Sequence, residues 1–372
     1  DRGGLNNMPA WISPNIRNMM GRGLDIPVYV ETIGSEYTSA ITDVLFSQGI
    51  ELVNITNIVP GVAASMSDNL IDFVAKMKGV KAVWLDFTVT GLMDEAAAAV
   101  AAPFAWQYST GSGVVVAVID TGIDANHPAL RGTVVGFEDL VNGRTQPYDD
   151  NGHGTHVSGI IASRSKEYPG ISRGNLFGIK ALDAGGAGLM SVLISALEFC
   201  SNEPIIQVVN MSVGGFEFFD NGNHPLSQAA DILSQDGIPV CVAAGNSGPI
   251  PYSLMTPGKA HDVITVGAVD NRGNPAFFSS RSGIGFLMKP DVAAPGVQIM
   301  APQANSDGFI PQSGTSMSCP IVAGIVALMV DLNPSISPLR VKAILQKAVQ
   351  TDGQPFITGK GMVHALDAVE SV

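Results

Sequence analysis

An aspartate, a histidine and a serine stand where apolar runs meet turns or helical patterns. Asp120 closes the apolar run of VAVIDTGID. His153 opens a helical pattern in NGHGTHVSG. Ser316 follows the Gly-marked turn of SGTSMSCP and leads into a long apolar segment. A serine hydroxyl is a weak nucleophile until a base takes its proton. Imidazole titrates near neutrality and is the natural base. A buried carboxylate fixes the tautomer of that imidazole and stabilises the imidazolium. A serine at a helix N-terminus adds backbone N–H groups and the positive dipole end, both suited to a developing oxyanion. The chemistry these three would do together is acyl transfer through a seryl ester. Taken singly, each has a plainer reading. Asp120 could be a turn aspartate and Ser316 a helix cap. His153 and His156 could be structural or metal-bound, although HGTH lacks the HExxH spacing.

The elements that would carry these residues read as two patterns. Residues 1–25 are rich in Gly, Asn, Pro and Met, show no clean period, and read as an N-terminal extension. Residues 26–93 alternate as strand (26–33), helix (35–48), strands (50–57 and 58–64), helix (67–77) and strand (80–89). That β-α-β-β-α-β order is the ferredoxin-like split motif, a small α+β domain. The segment 90–103, TGLMDEAAAAVAAP, is rich in small residues and reads as a boundary. The second domain runs from 94 to 372, and after Gly113 its texture is α/β. Apolar strands at 114–119, 177–182, 206–211, 239–244 and 263–266 alternate with helical stretches at 155–162, 189–200, 225–235 and 316–332. The spacing predicts a mostly parallel sheet with helices on both faces.

Composition excludes several classes. Of 372 residues, 46% are hydrophobic and 14% charged, so the chain buries a core and is not disordered. The net charge is −13 and no basic run of five or more occurs, which argues against nucleic acid as a partner. No stretch reaches the ~18 apolar residues of a membrane span. The three cysteines, Cys200, Cys241 and Cys319, show no metal spacing. Small buried hydrophobes and a Cys200–Cys241 disulfide are both compatible with the sequence.

In the order Asp, His, Ser, the three segments resemble the signature motifs of the subtilisin family of serine proteases, and the resemblance runs from about Trp106 to the C-terminus. VVNMSVGG, VAAGNSG, VITVGAVD, KPDVAAPG and GKGMVHALDAV resemble further family segments. The resemblance implies a serine endopeptidase with a subtilisin-like fold that needs no cofactor for its chemistry and acts on polypeptides. It implies that Asp120 orients His153, that His153 is the general base, that Ser316 is the nucleophile, and that the Asn246 amide and the Ser316 N–H form the oxyanion hole. It implies a structural role for His156. Ser212, Val213 and Gly214 with Gly186 and Gly188 resemble strands flanking an extended peptide. Val213, Met190 and Leu193 would line an apolar pocket, and Ala243, Ala244, Gly245 and the 247–258 loop would shape the pocket for the residue before the cut.

The tight calcium site of some relatives has an aspartate where this chain has Ala129, and that site is expected to be absent. Asp270 resembles a ligand of a weaker site for calcium or a monovalent cation, and a surface carboxylate is the alternative. The ferredoxin-like domain resembles the family's propeptide, an intramolecular chaperone and inhibitor. On that resemblance the chain is a secreted zymogen. The tail 85–93 would lie in the cleft and be cut after Met93, with Leu92 next. A catalytically silent binding protein on the same scaffold would lack a triad member or Asn246, and all four are present. An α/β-hydrolase esterase would need the order Ser, Asp, His around a G-x-S-x-G serine; the chain carries one such run, GISRG at 170–174, but its three segments stand in the order Asp, His, Ser.

Overall fold

In the computed structural model, the described residues are 10–56, 59–86, 95–217, 220–283, 287–351 and 353–372. The chain divides into two compact units, Asp1–Thr90 and Gly91–Val372.

The small unit holds β1 (Trp11–Ile12), α1 (Pro14–Met19), β2 (Ile26–Thr32), α2 (Ser35–Ser47), β3 (Leu52–Thr56), β4 (Gly61–Met66), α3 (Asp68–Val74) and β5 (Val80–Leu85). Its sheet runs β1-β5-β2-β4-β3. The last four strands are antiparallel, in the split β-α-β-β-α-β arrangement. Residues 10–20 are not an extension outside this unit, as their composition suggested. Trp11 and Ile12 pair in parallel with Ala82 and Val83, and Ile12 and Ile16 join the same core as Val28, Ile41 and Val83. Two apolar residues at helical and strand positions outweigh the polar texture around them.

The large unit holds α4 (Glu95–Ala99), α5 (Ala102–Ala105), β6 (Val115–Asp120), β7 (Val134–Asp139), α6 (His153–Ala162), β8 (Asn175–Lys180), α7 (Met190–Asn202), β9 (Val208–Met211), α8 (Pro225–Gln235), β10 (Val240–Ala243), β11 (Ile264–Val269), β12 (Val292–Pro295), β13 (Ile299–Pro302), β14 (Phe309–Gln312), α9 (Thr315–Leu332), α10 (Pro338–Leu345) and α11 (Ala365–Glu370). Seven strands form one parallel sheet, β12-β11-β10-β9-β6-β8-β7. β6 has no exposed residue because both faces are covered. Val116 and Val118 pack with α6 and α9, while Val115, Ala117 and Ile119 pack with α7 and α8. Part of the segment 90–103, which read as a boundary without a core pattern, is core: Ala96, Ala97, Val100 and Ala102 are buried with α9.

α9 is 18 residues long and apolar enough to cross a membrane by length and composition, which corrects the expectation that no such stretch exists. Its apolarity has another cause: 83% of the helix is buried inside the protein, against β9, β10, β11 and β12. From β6 the strand order departs in both directions, with β8 on one side and β9 on the other. In open parallel sheets, the carboxyl ends of strands at such a switch form the crevice that binds ligands.

Candidate active site

Asp120 is the last residue of β6 and is fully buried. Its Oδ1 accepts the Thr121 N–H at 2.8 Å and the His153 Nδ1–H at 2.7 Å. His153 is the first residue of α6, and its side chain is 27% exposed. A Cβ added at Gly154 would sit 2.1 Å from the Gly122 carbonyl, so only glycine lets α6 approach the end of β6 this closely. Burial works against the imidazolium. The charge and hydrogen bond of Asp120 and the charge of Asp149 outweigh it and hold the His153 pKa above its ordinary value.

Asp149 was not singled out by the sequence reading. It is 3% exposed and receives five donors. Oδ1 accepts from Thr121 Oγ1 and the N–H groups of Asn151 and Gly152, and Oδ2 accepts from the N–H and Oγ1 of Thr155. One carboxylate thus ties the residue after Asp120 to the first turn of the histidine helix, where a negative charge is favoured. These bonds overcome burial and hold the Asp149 pKa below the usual carboxylate range. An Asp three to six residues ahead of a helix-opening Gly-His-Gly-Thr is a cap signal that could have found it. Lys180 was also missed. Fully buried, its Nζ donates to the carbonyls of Thr121 (2.6 Å) and Leu182 (2.9 Å) and to Asp150 Oδ1 (2.5 Å), pinning the turns on both sides of the site.

Ser316 is the second residue of α9, where the backbone N–H has no carbonyl within the helix to bond. Its Oγ donates to the Ser212 carbonyl at 3.0 Å, and Ser212 Oγ donates back to the Ser316 carbonyl at 2.9 Å. That second bond follows from sequence. The helical partner of the Ser316 carbonyl would be the N–H of residue 320, which is Pro320 and has none.

Asn246 follows β10. Its Oδ1 accepts the N–H (2.9 Å) and Oγ1 (3.1 Å) of Thr315, which leaves its Nδ2 as the end free to donate. Thr315 Oγ1 in turn accepts the Gly245 N–H at 3.1 Å. Thr315 was missed because a threonine beside the serine carries no separate signal in the chain.

His153, Ser316 and Asn246 share one cleft of about 800 Å³. Gly186, Gly188, Met190, Leu193, Ser212, Val213, Gly214 and Gly245 line it as well, together with Ala243. Ala244 does not belong with them. It is fully buried, its N–H donates to Val266 and its carbonyl accepts from Met255. Alternation along β10 turns Ala243 to the cleft and Ala244 away.

Asp270 does not present a vacant carboxylate. Oδ1 accepts the N–H groups of Arg272 and Asn274, and Oδ2 accepts Asn274 Nδ2. Among the described residues no group of three or more His, Cys, Asp and Glu gathers as for a metal. His156 is fully buried, with Nε2 within 3.1 Å of the carbonyls of both hairpin strands, Ile299 and Ile310, and burial pushes its pKa down to about 4. It is a neutral clamp between α6 and the β13–β14 hairpin. The three cysteines are free and buried, so the Cys200–Cys241 bridge does not form. The tail at 87–93 lies outside the described residues.

Residues 111–361 match the subtilase family, Peptidase_S8. The chain is 38% identical to serine protease AprX of Bacillus subtilis (strain 168) over 340 residues, covering 81% of this chain and 76% of AprX. It is 37% identical to subtilisin DY of Bacillus licheniformis over 268 residues, covering 70% of this chain and 92% of that protein. A solved structure, that of a cold adapted subtilisin-like serine proteinase, superposes with a TM-score of 0.61 at 28% identity, covering 76% of this chain and 93% of the other. A parallel sheet with a buried Asp–His pair at its carboxyl edge, and sequence similarity across most of the chain, have one common account: the chain belongs to the subtilase family of serine endopeptidases.

Proposed function

We propose that the chain is the precursor of a peptide-bond hydrolase, with Asp120, His153 and Ser316 as its triad and the small unit as its inhibitor in cis. The observation that carries the reading is the 2.7 Å bond from His153 Nδ1 to buried Asp120, in one cleft with Ser316 and Asn246. With Nδ1–H committed to Asp120, the lone pair of Nε2 is the one left to accept the seryl proton. Ser316 Oγ then bonds to the scissile carbonyl carbon. The oxygen that gains charge is met by Asn246 Nδ2 and the Ser316 N–H. Collapse breaks the C–N bond, and His153 returns the proton to the leaving amine. Water repeats the sequence on the ester. Before the hydroxyl can serve, it must leave the Ser212 carbonyl, and catalytic hydrogen bonds often form fully only when substrate binds.

Polypeptides are the substrates, laid along Ser212–Gly214 and Gly186–Gly188. No cofactor enters the chemistry, and Asp270 supports its own turn. Two observations support the inhibitor role. The similarity to AprX takes in 81% of the chain, more than the 282 of 372 residues in the large unit supply. The small unit also has a core of its own. Secretion is part of the same reading and rests on the family alone.

The test is a time course of the purified chain beside Ser316→Ala, followed on a gel and with a chromogenic peptide. The wild type is expected to divide within 91–93 and gain activity while the variant stays whole and inert. Cleavage of the variant at the same rate in isolation would refute self-processing. The pH dependence has a definite sign. His153 must be neutral to act as a base, and its pKa lies above the ordinary 6.5. Activity is therefore full at alkaline pH, and kcat/KM falls to half at a pH above 6.5 on acidification. A midpoint below 6.5 would contradict the Asp120–His153 pairing.

A further inference from the structure

Gly214, Gly245 and Met255 line the same cleft as Ser316, and Met255 lies against both glycines. A Cβ added at Gly214 would lie 2.9 Å from Met255 Cβ. One added at Gly245 would lie 2.6 Å from Met255 Cγ and 2.9 Å from its Sδ. Met255 therefore packs directly against both glycines, and neither could carry a methyl group without displacing it.

The backbone that carries Met255 is held from several sides. The Met255 N–H donates to the Ala244 carbonyl at 3.0 Å, and Thr256 exchanges two backbone bonds of 2.9 Å with Gly215. Thr256 Oγ1 also donates to Asp220 Oδ2 at 2.6 Å. Asp220 is 2% exposed and holds the N–H groups of Gly222 and His224 and the hydroxyl of Ser227, so it is fastened to the start of α8. Hydrogen bonds to Asp220 outweigh its burial and keep it ionised, with its pKa below the usual range. The segment 255–256 is thus tied to the peptide-pairing strand on one side and to a helix cap on the other.

We propose that Met255 stops the slot for the residue preceding the scissile bond, and that the enzyme selects peptides with glycine, alanine or serine there. This rests on the endopeptidase reading. A large side chain at that position would have to displace the Met255 side chain that lies against both glycines, and discrimination by fit in an apolar pocket runs from about 10- to 200-fold per methylene-sized misfit. Within 91–93, the expected self-cleavage accordingly moves from the bond after Met93 to the bond after Gly91.

The experiment uses processed enzyme and chromogenic tetrapeptides differing only in Ala, Met or Phe before the bond, with wild type, Met255→Gly and Met255→Ala. Wild type is expected to favour Ala over Phe by about tenfold or more in kcat/KM, and Met255→Gly to reverse the order, with Met255→Ala between. A wild type that turns over Phe as readily as Ala overturns the proposal and leaves the endopeptidase reading standing, as does a Met255→Gly enzyme with the wild-type ratio. A processed wild type that cleaves none of the series overturns both. If Met255→Gly does not fold, the wild-type ratio and Met255→Ala decide.

Discussion

Ser316→Ala is expected to lower kcat by about 10⁶, a figure borrowed from removal of the nucleophile in the relative subtilisin. On the proposed mechanism, the change takes away the atom that bonds to carbon and leaves the backbone that shapes the cleft in place. The hydrogen bond lost with the hydroxyl runs to the Ser212 carbonyl, which costs about 1 kcal/mol. The return bond from Ser212 Oγ to the Ser316 carbonyl does not involve the deleted atom. The melting temperature should therefore stay close to that of the wild type while turnover collapses. Both proteins should be trimmed by a second protease before assay, so that they are compared without the small unit. A variant that keeps even a hundredth of the wild-type kcat would remove Ser316 from the nucleophile's place.

Asn246→Leu is expected to cost roughly 10²–10³ in kcat with KM nearly unchanged, again by the measure of subtilisin. Thr315 holds the carbonyl end of this amide with two hydrogen bonds. The amide's NH₂ end is thereby aimed without spending a substrate contact. A group that meets only the charged oxygen of the tetrahedral intermediate affects the transition state and not the bound peptide. Steady-state kinetics on one peptide separates the cases: a rise in KM at constant kcat would make Asn246 a binding residue.

Much of this was legible in the chain because parallel strands buried on both faces write themselves as unbroken apolar runs. β6 through Asp120 and α9 after Ser316 needed no more than that. What was hidden shares a different property. β7 has four half-buried residues and one exposed, so its apolar signal is diluted. The β13–β14 hairpin contains Pro302 and Pro311, which argue against strands on local grounds. Its place is fixed by His156 reaching it from α6. Asp149, Lys180 and Thr315 act through partners up to 70 residues away in sequence, and no local pattern encodes those meetings. Residues 10–20 misled in the opposite sense, because Ile12 and Ile16 are enough to seat them and the glycines and asparagines nearby are not.

Pro320 has a mechanical consequence. By withholding an N–H it frees the Ser316 carbonyl for the Ser212 hydroxyl, and the two serines clasp each other through main chain and side chain alike. The first turn of α9 and the rim of the cleft at Ser212 are therefore one stiff part. On the proposed mechanism, a peptide that tugs that rim by a fraction of an ångström would carry Ser316 with it, and the gap between the hydroxyl-bearing carbon and the bond to be cut would be preserved. His153 hangs from β6 and α6, which share one core with α9 and one sheet with the strand that leads to Ser212, so the imidazole and the clasped serines rest on a common frame.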